Sequence, residues 1–296
     1  MVPEMSQGNV IQSVRFENFR CLRELEVSLE PLTILVGPPA SGKSTVLDGL
    51  DLQLGCDAAD FWRQDESRPA VVEWRYVDGN QFRLDYPVGK LDSTPIMTHT
   101  VQALALDLLA LREDSSTSRQ PVLNRTGDNL AGVFASLQEG QRQRVVQELC
   151  RMVPSLRDVG IQQTGSRTQR LKFRDWWKTD MWFTPARVAD TVLLLLAYLV
   201  LPYQSPPPHV VTLDMPERTL PPVLMGELMR LMRGLSTGEL AGVPVQVVIA
   251  TASPGLLRRV EAQEVRVLTR SPDDGSTRVS SSPEDVADWR QRLEMA

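Results

Sequence analysis

Residues Thr33 to Thr45 constrain this chain more than any other stretch. Thr33 to Val36 is a short apolar, β-branched run, as expected of a buried strand. Gly37-Pro38-Pro39-Ala40-Ser41-Gly42-Lys43-Ser44 then has the Gly-x-x-x-x-Gly-Lys-Ser spacing of a phosphate-cradling P-loop. Backbone N–H groups must turn inward around a phosphate, and glycine permits that path. A helix expected from about Ser41 adds the positive end of its dipole. Lys43 brings an ammonium to the β- and γ-phosphates, and the Ser44 hydroxyl is a ligand for Mg²⁺. Thr45, Val46, Leu47 and Leu50 continue as an amphipathic helix, so strand, loop and helix stand in the required order. A chance match in a Gly/Pro loop would lack that context. The expected cofactors are ATP and Mg²⁺, held by Gly37 to Thr45.

Composition sets the outer limits. With 296 residues, 42% hydrophobic and 23% charged, the chain suits one large soluble α/β domain or two small ones. A net charge of −5 gives no global attraction to nucleic acid or to an anionic membrane, and leaves room for a local basic patch. Cys21, Cys56 and Cys150 are scattered, without disulfide or zinc spacing. His99 and His209 are too few for a histidine-based metal centre. Met1 to Val10 is polar and has no signal-peptide core, and the apolar run Val192 to Leu201 is too short to span a bilayer. The expectation is a cytoplasmic protein with no membrane contact.

Along the chain, Ile11 to Phe16 and Leu22 to Leu29 read as two strands ahead of the P-loop strand. Val71 to Val77 and Gln81 to Tyr86 form a hairpin across Asp78-Gly79-Asn80. Val101 to Leu111 fits a strand or a helix, and Glu113 to Pro121 a loop. Asp128 to Leu137, with Asp128 as N-cap, and Arg142 to Val153 read as helices. Ile161 to Phe173 is expected to be a hairpin turning near Gly165, and Val188 to Leu201 a buried helix. Pro202 to Pro208 breaks the chain. Val210 to Leu213 is a buried strand ending in Asp214, Pro222 to Leu235 a helix, and Val245 to Ala250 a strand followed by a helix around Leu256 to Val260. Val265 to Arg270 and Ser276 to Ser280 form a last hairpin, before a helix capped by Ser282-Pro283.

Several motifs together carry a resemblance. Val14-Arg15-Phe16-Glu17-Asn18-Phe19-Arg20, a second strand and then the P-loop resemble the start of the RecF/SMC-like ATPases, ABC-type P-loop proteins of DNA repair, chromosome maintenance and anti-phage defence. Gly127-Asp128-Asn129-Leu130-Ala131 resembles the Gly-x-Asn-Leu-Ala helix start of the short, coiled-coil-free members. Val210 to Glu217 resembles their Walker B run, Leu220-Pro221-Pro222 the Leu-His-Pro that follows, and Val247 to Pro254 the strand ending in Thr-His-Ser-Pro. The resemblance implies a mixed α/β ABC-type head with an N-terminal antiparallel sheet. Residues 1–94 and 191–296 would form the nucleotide-binding core and 95–190 a helical and hairpin insert. It implies Asp214 as a Mg²⁺ partner, Arg20 as a residue able to approach the nucleotide, and a loop glutamine near Mg²⁺, for which Gln81 and Gln102 are candidates.

Three functional positions depart from the family pattern. Met215 stands where the Walker B glutamate would polarise the attacking water, and a thioether cannot act as that base. Ala252 stands at the switch histidine. Ala189-Asp190-Thr191-Val192 replaces the Ser-Asp-Gly-Thr signature, which in the family caps the γ-phosphate of a partner in a head-to-tail dimer. Pro39-Ala40 also replaces the commoner Asn-Gly. The three changes share one job, so the expectation is an ATP-binding switch whose hydrolysis is weak or lost. Two degraded signatures would make two poor sites, which favours a heteromeric partner subunit, a nuclease or a second ATPase, over a head-to-tail homodimer. The alternatives are an active DNA-linked ATPase using another base, with Glu217 the candidate, and a non-catalytic structural module. Glu217 also reads as a loop carboxylate capping the next helix.

Residues 141–190 hold ten Lys/Arg against five Asp/Glu. Arg167, Arg170, Lys172, Arg174 and Lys178 interleave there with Phe173, Trp176 and Trp177. That pattern fits a DNA-contacting stripe over 167–178, and equally the solvated face of a hairpin that packs Leu171 and Phe173 behind it. Trp176, Trp177 and Trp182 read as core packing, or as a partner surface.

Overall fold

The computed structural model describes residues 10–51, 58–86, 100–178, 180–218, 220–240 and 242–295. Cys56, His99 and the polar stretch 1–9 lie outside the described residues. In chain order the elements are β1 (Ile11–Phe19), β2 (Leu22–Ser28), β3 (Leu32–Val36), α1 (Lys43–Leu50), β4 (Ala70–Tyr76), β5 (Gln81–Tyr86), β6 (Val101–Leu104), β7 (Ser115–Ser116), α2 (Leu130–Ser136), α3 (Glu139–Met152), β8 (Leu156–Gln163), β9 (Thr168–Asp175), β10 (Trp182–Phe183), α4 (Asp190–Val200), β11 (Val210–Asp214), α5 (Met225–Thr237), β12 (Gln246–Ala250), α6 (Pro254–Leu257), β13 (Val265–Arg270), β14 (Thr277–Ser280) and α7 (Pro283–Met295).

The first compact unit takes residues 1–103, 208–217 and 244–296. Its larger sheet has the order β14-β13-β3-β12-β11-β6. The strands β11, β12, β3 and β13 run parallel, and β14 closes the edge antiparallel to β13. All five residues of β3 and of β12 are buried, as continuous apolar runs are when both faces of a parallel sheet are covered. A second, antiparallel sheet has the order β2-β1-β4-β5. Its inward face supplies Val14, Phe16, Val72 and Trp74 to a core that also takes in Val46, Leu47 and Leu50 from α1. Its outward face is charged and cross-linked, with Arg15 on Glu24 and Arg75 on both Glu26 and Glu73. Gln246, 2% exposed, joins the two sheets. Its amide accepts from Ile11 N–H at 2.7 Å and donates to Ile11 C=O at 2.9 Å, so one side chain completes a backbone pair.

The second unit takes residues 104–207 and 218–243, and so includes α4 and α5. The α4 helix, sequence DTVLLLLAYLV, is buried along nearly its whole length. A small sheet of β10, β9 and β7, with β8 paired to β9, packs its Val159, Leu171 and Phe173 inward. Val101 to Leu111 resolves into β6 and then a short 3₁₀ turn at Ala110–Arg112. The polar loop before Pro121 contributes the two-residue β7, because Ser115 and Ser116 pair with β9. Asp128 does not cap α2. The helix begins at Leu130, with Asn129 at the cap position and no side-chain cap bond. Asp128 and Asn129 instead hold the preceding loop: Asn129 Oδ1 accepts from Asn124 N–H, its Nδ2 donates to Val122 C=O, and Asp128 Oδ1 accepts from Asn124 Nδ2, each at 2.8 Å.

Candidate nucleotide-binding site

The loop between β3 and α1 has the geometry that its sequence requires. Gly37 has φ 154° and Gly42 φ 103°. A Cβ on Gly37 would come within 2.1 Å of Leu268 C=O, and one on Gly42 within 2.6 Å of Thr277 Oγ1. No side chain fits at either place. Ala40 also sits at positive φ, 61°, where an L-residue is strained. The helix starts at Lys43, two residues past the expected Ser41, because Gly42 is the left-handed cap. Pro38 C=O accepts from Ser41 N–H at 3.2 Å, and Ser41 itself is fully buried.

Lys43 folds back into the loop, its Nζ donating to Gly37 C=O and Pro38 C=O, both at 2.9 Å. Burial lowers its pKa below the ordinary lysine value, and Asp214 works in the opposite sense. The same loop carbonyls hold the ammonium where a phosphate would be offered it. Ser44 Oγ donates to Asp214 Oδ2 at 2.7 Å, which joins the first turn of α1 to the end of β11. A hydroxyl and a carboxylate brought together at the mouth of a P-loop are an oxygen pair of the kind that Mg²⁺ takes. The loop path, the cation and this pair together fit a Mg²⁺-bound nucleoside triphosphate.

Sequence reasoning missed what braces the loop. Thr277 Oγ1, on β14, donates to Ser41 C=O at 3.0 Å, and Thr277 N–H donates to Cys21 C=O at 2.9 Å. The Cys21 Sγ lies 3.5 Å from Thr45 Oγ1. Only the register of the β13–β14 hairpin brings Thr277 under the loop, and no local pattern signals it. Arg20 is at φ 46°, its guanidinium bonded to Asp60 at 2.5 Å and to Asp48 of α1 at 2.7 Å. Thus Arg20 ties the β1–β2 turn to the P-loop helix. Of the glutamine candidates, Gln81 is exposed at the start of β5 and Gln102 is buried in β6.

Met215 has φ 46°, donates its N–H to Ala250 C=O at 2.8 Å, and is 39% exposed. Glu217 does not cap a helix. Its Oε1 accepts from the Thr251 hydroxyl, while Oε2 is buried and has no hydrogen-bond partner among the described residues. Burial raises the Glu217 pKa, against the Thr251 bond. In the second unit, within Ala189 to Val192, Asp190 opens α4 and pairs with Arg112, which also donates to Val188 C=O at 3.3 Å.

The stripe 167–178 takes the hairpin form. Leu171 and Phe173 point inward, and Arg170, Lys172 and Arg174 lie on the other face. Two of these cations are neutralised, Arg170 by Asp114 at 2.6 Å and Arg174 by Asp158 at 2.8 Å. Lys172 Nζ stands 4.3 Å from the Trp182 ring centre. Core packing of the tryptophans is not what the structure has: Trp176 is 57% and Trp177 75% exposed, since a two-residue β10 leaves both on the turn outside the sheet.

Residues 10–81 match the family described as the AAA ATPase domain. The OLD nuclease of Thermus scotoductus is 42% identical over 53 residues, which is 18% of this chain and 9% of that protein. The matched part thus spans a small fraction of the relative's length. Among solved structures, the SMC head bound to the C-winged helix domain of ScpA superposes with a TM-score of 0.59 at 11% identity, covering 94% of this chain and 99% of that one. The SMC head domain from Thermotoga maritima gives a TM-score of 0.55 at 12% identity, covering 92% and 98%. A Pyrococcus furiosus SMC head with an extended coiled coil, bound to the C-terminal domain of ScpA, gives 0.55 at 10%, covering 97% and 99%. At such identities the likeness carries the fold, which is that of an SMC-like ABC-type P-loop ATPase head.

Proposed function

We propose that this RecF/SMC-like ABC-type P-loop ATPase binds ATP with Mg²⁺ as a conformational switch and hydrolyses it weakly. The observation that carries the reading is the contrast at one strand end. Asp214 holds Ser44 Oγ at 2.7 Å, and the next residue is a methionine. The binding half of the site is intact, with Lys43 in the loop and glycines where only glycine fits. The hydrolytic half lacks the expected carboxylate at 215 and imidazole at 252. Removing a base or a charge-stabilising donor costs about 10²–10⁴ in rate for each group.

ATP then acts by favouring one association state of the head over another, through a difference in affinity between the two. The partner is a second copy docked head to tail, or a different subunit that supplies the missing groups, a nuclease or a second ATPase. The process is bacterial DNA repair or anti-phage defence in the cytoplasm, in keeping with the RecF/SMC resemblance and the nuclease relative. DNA contact through Arg167, Lys172 and Lys178 belongs to the same reading, with Arg170 and Arg174 already committed to carboxylates.

A second reading rests on Glu217. Its buried, unpartnered Oε2 and raised pKa are the properties of a general base. The Thr251 bond to its other oxygen ties the carboxyl to the end of β12, which favours a structural role.

Calorimetric titration of ATP with and without Mg²⁺ tests the binding claim. Saturable binding that is strengthened by Mg²⁺ and lost in Lys43→Ala is expected. Binding indifferent to Lys43 overturns it and leaves a structural module.

A further inference from the structure

The second unit holds a cavity of about 520 Å³ between the start of α3 and the proline-rich segment after α4. The nucleotide reading makes no use of it. Its volume is that of a small-molecule site. Its walls are of two kinds. Pro202, Pro207, Leu137 and the ring of Tyr203 give an apolar surface, and Arg119 and Arg144 bring two guanidinium groups. No Asp or Glu among the described residues lines it.

The arginines of this unit divide into paired and unpaired. Arg112, Arg151, Arg170, Arg174 and Arg230 each pair with a carboxylate. Arg119 and Arg144 form no ion pair among the described residues. The Tyr203 phenol, against which Arg144 lies, donates to Leu240 C=O at 3.2 Å, so its ring is fixed in place. Two cations outside any ion pair, beside a rigid ring and prolines, suit a ligand with an anionic end and a flat apolar body. Guanidinium forks bind phosphate with two parallel hydrogen bonds, and a base stacks on such a ring.

We propose that this cavity is a second, P-loop-independent site for a phosphate-bearing small molecule of mononucleotide size. The Lys43→Ala chain, titrated calorimetrically with AMP and separately with inorganic pyrophosphate, tests it without the P-loop site. One-to-one binding of AMP is expected, tighter than that of pyrophosphate, weakened at least tenfold by Arg119→Gln with Arg144→Gln and at least threefold by Arg119→Gln alone. Arg119 is exposed, so the single variant is expected to keep the fold, which a melting curve checks. On AMP addition, amide exchange in residues 138–144 and 202–207 should slow. No AMP heat in Lys43→Ala, or an AMP affinity unchanged by Arg119→Gln in a normally melting chain, overturns the proposal. Pyrophosphate binding as tight as AMP also overturns it, because the apolar wall would then contribute nothing.

Discussion

Ser44 Oγ and Asp214 Oδ2 are 2.7 Å apart although 170 residues separate them in sequence. The pair exists because β11 and β3 both run parallel to β12, with their C-terminal ends on the same edge of the sheet. An open α/β sheet places ligands at that edge. Here it sets a hydroxyl from a helix start against a carboxylate from a strand end, the arrangement a divalent cation needs.

Asp214→Asn should therefore separate the metal from the nucleotide. It removes a negative charge and keeps the shape. ATP affinity in the presence of Mg²⁺ is expected to fall roughly tenfold or more, the effect of losing one charge-assisted contact. Affinity in EDTA should change little. Titration under the two conditions measures the difference.

Ala40→Gly should stabilise the protein. Ala40 lies at φ 61° and is exposed, so its methyl makes no packing that would be lost. A non-glycine residue in that region costs about 1 kcal/mol or more. The melting temperature is expected to rise by about 2–4 °C, read by calorimetry.

Gln246→Ala should do the opposite. It leaves the Ile11 N–H and C=O buried without their partners. Each buried orphan costs about 1–3 kcal/mol, so a loss of roughly 2–5 kcal/mol is expected in urea unfolding.

In the second unit, α3 and α5 are joined by Glu148, Arg151, Glu227 and Arg230, with Arg230 bonded to Glu148 at 2.6 Å. The Arg151 bond first, and then Arg230, hold the Glu227 carboxyl down at about 2. Its folded pKa is below the unfolded value, so its stabilising contribution is complete above about pH 4.5 and is lost as pH falls toward 2. Glu227→Gln should lower the melting temperature at pH 7 and lower it far less at pH 2.5. Salt should shrink the effect, since the four side chains are partly exposed.

Much of this architecture is legible in the chain because its signals are local. The continuous apolar runs of β3, β11 and β12, the Asp78-Gly79-Asn80 turn and the capping Ser282, whose Oγ accepts from Asp285 N–H at 3.1 Å, each depend on a few neighbouring residues. The groups that sequence reasoning missed act across the fold. Thr277 supports Ser41 only through sheet register. Thr251 meets Glu217 only because β11 and β12 end side by side. Asp128 looks like a helix cap, and loses that role to a loop that needs its hydrogen bonds more. Trp176 and Trp177 look like core by residue type, and the short β10 leaves them outside.

Phosphate release from ATP by the purified chain, measured beside ATP binding, tests the central claim most directly. The account predicts saturable binding with turnover of about 0.01 s⁻¹ or less, at least ~10² below an ordinary 1 s⁻¹ enzyme. Turnover of about 1 s⁻¹ or faster by the chain alone, abolished by Lys43→Ala, would contradict it.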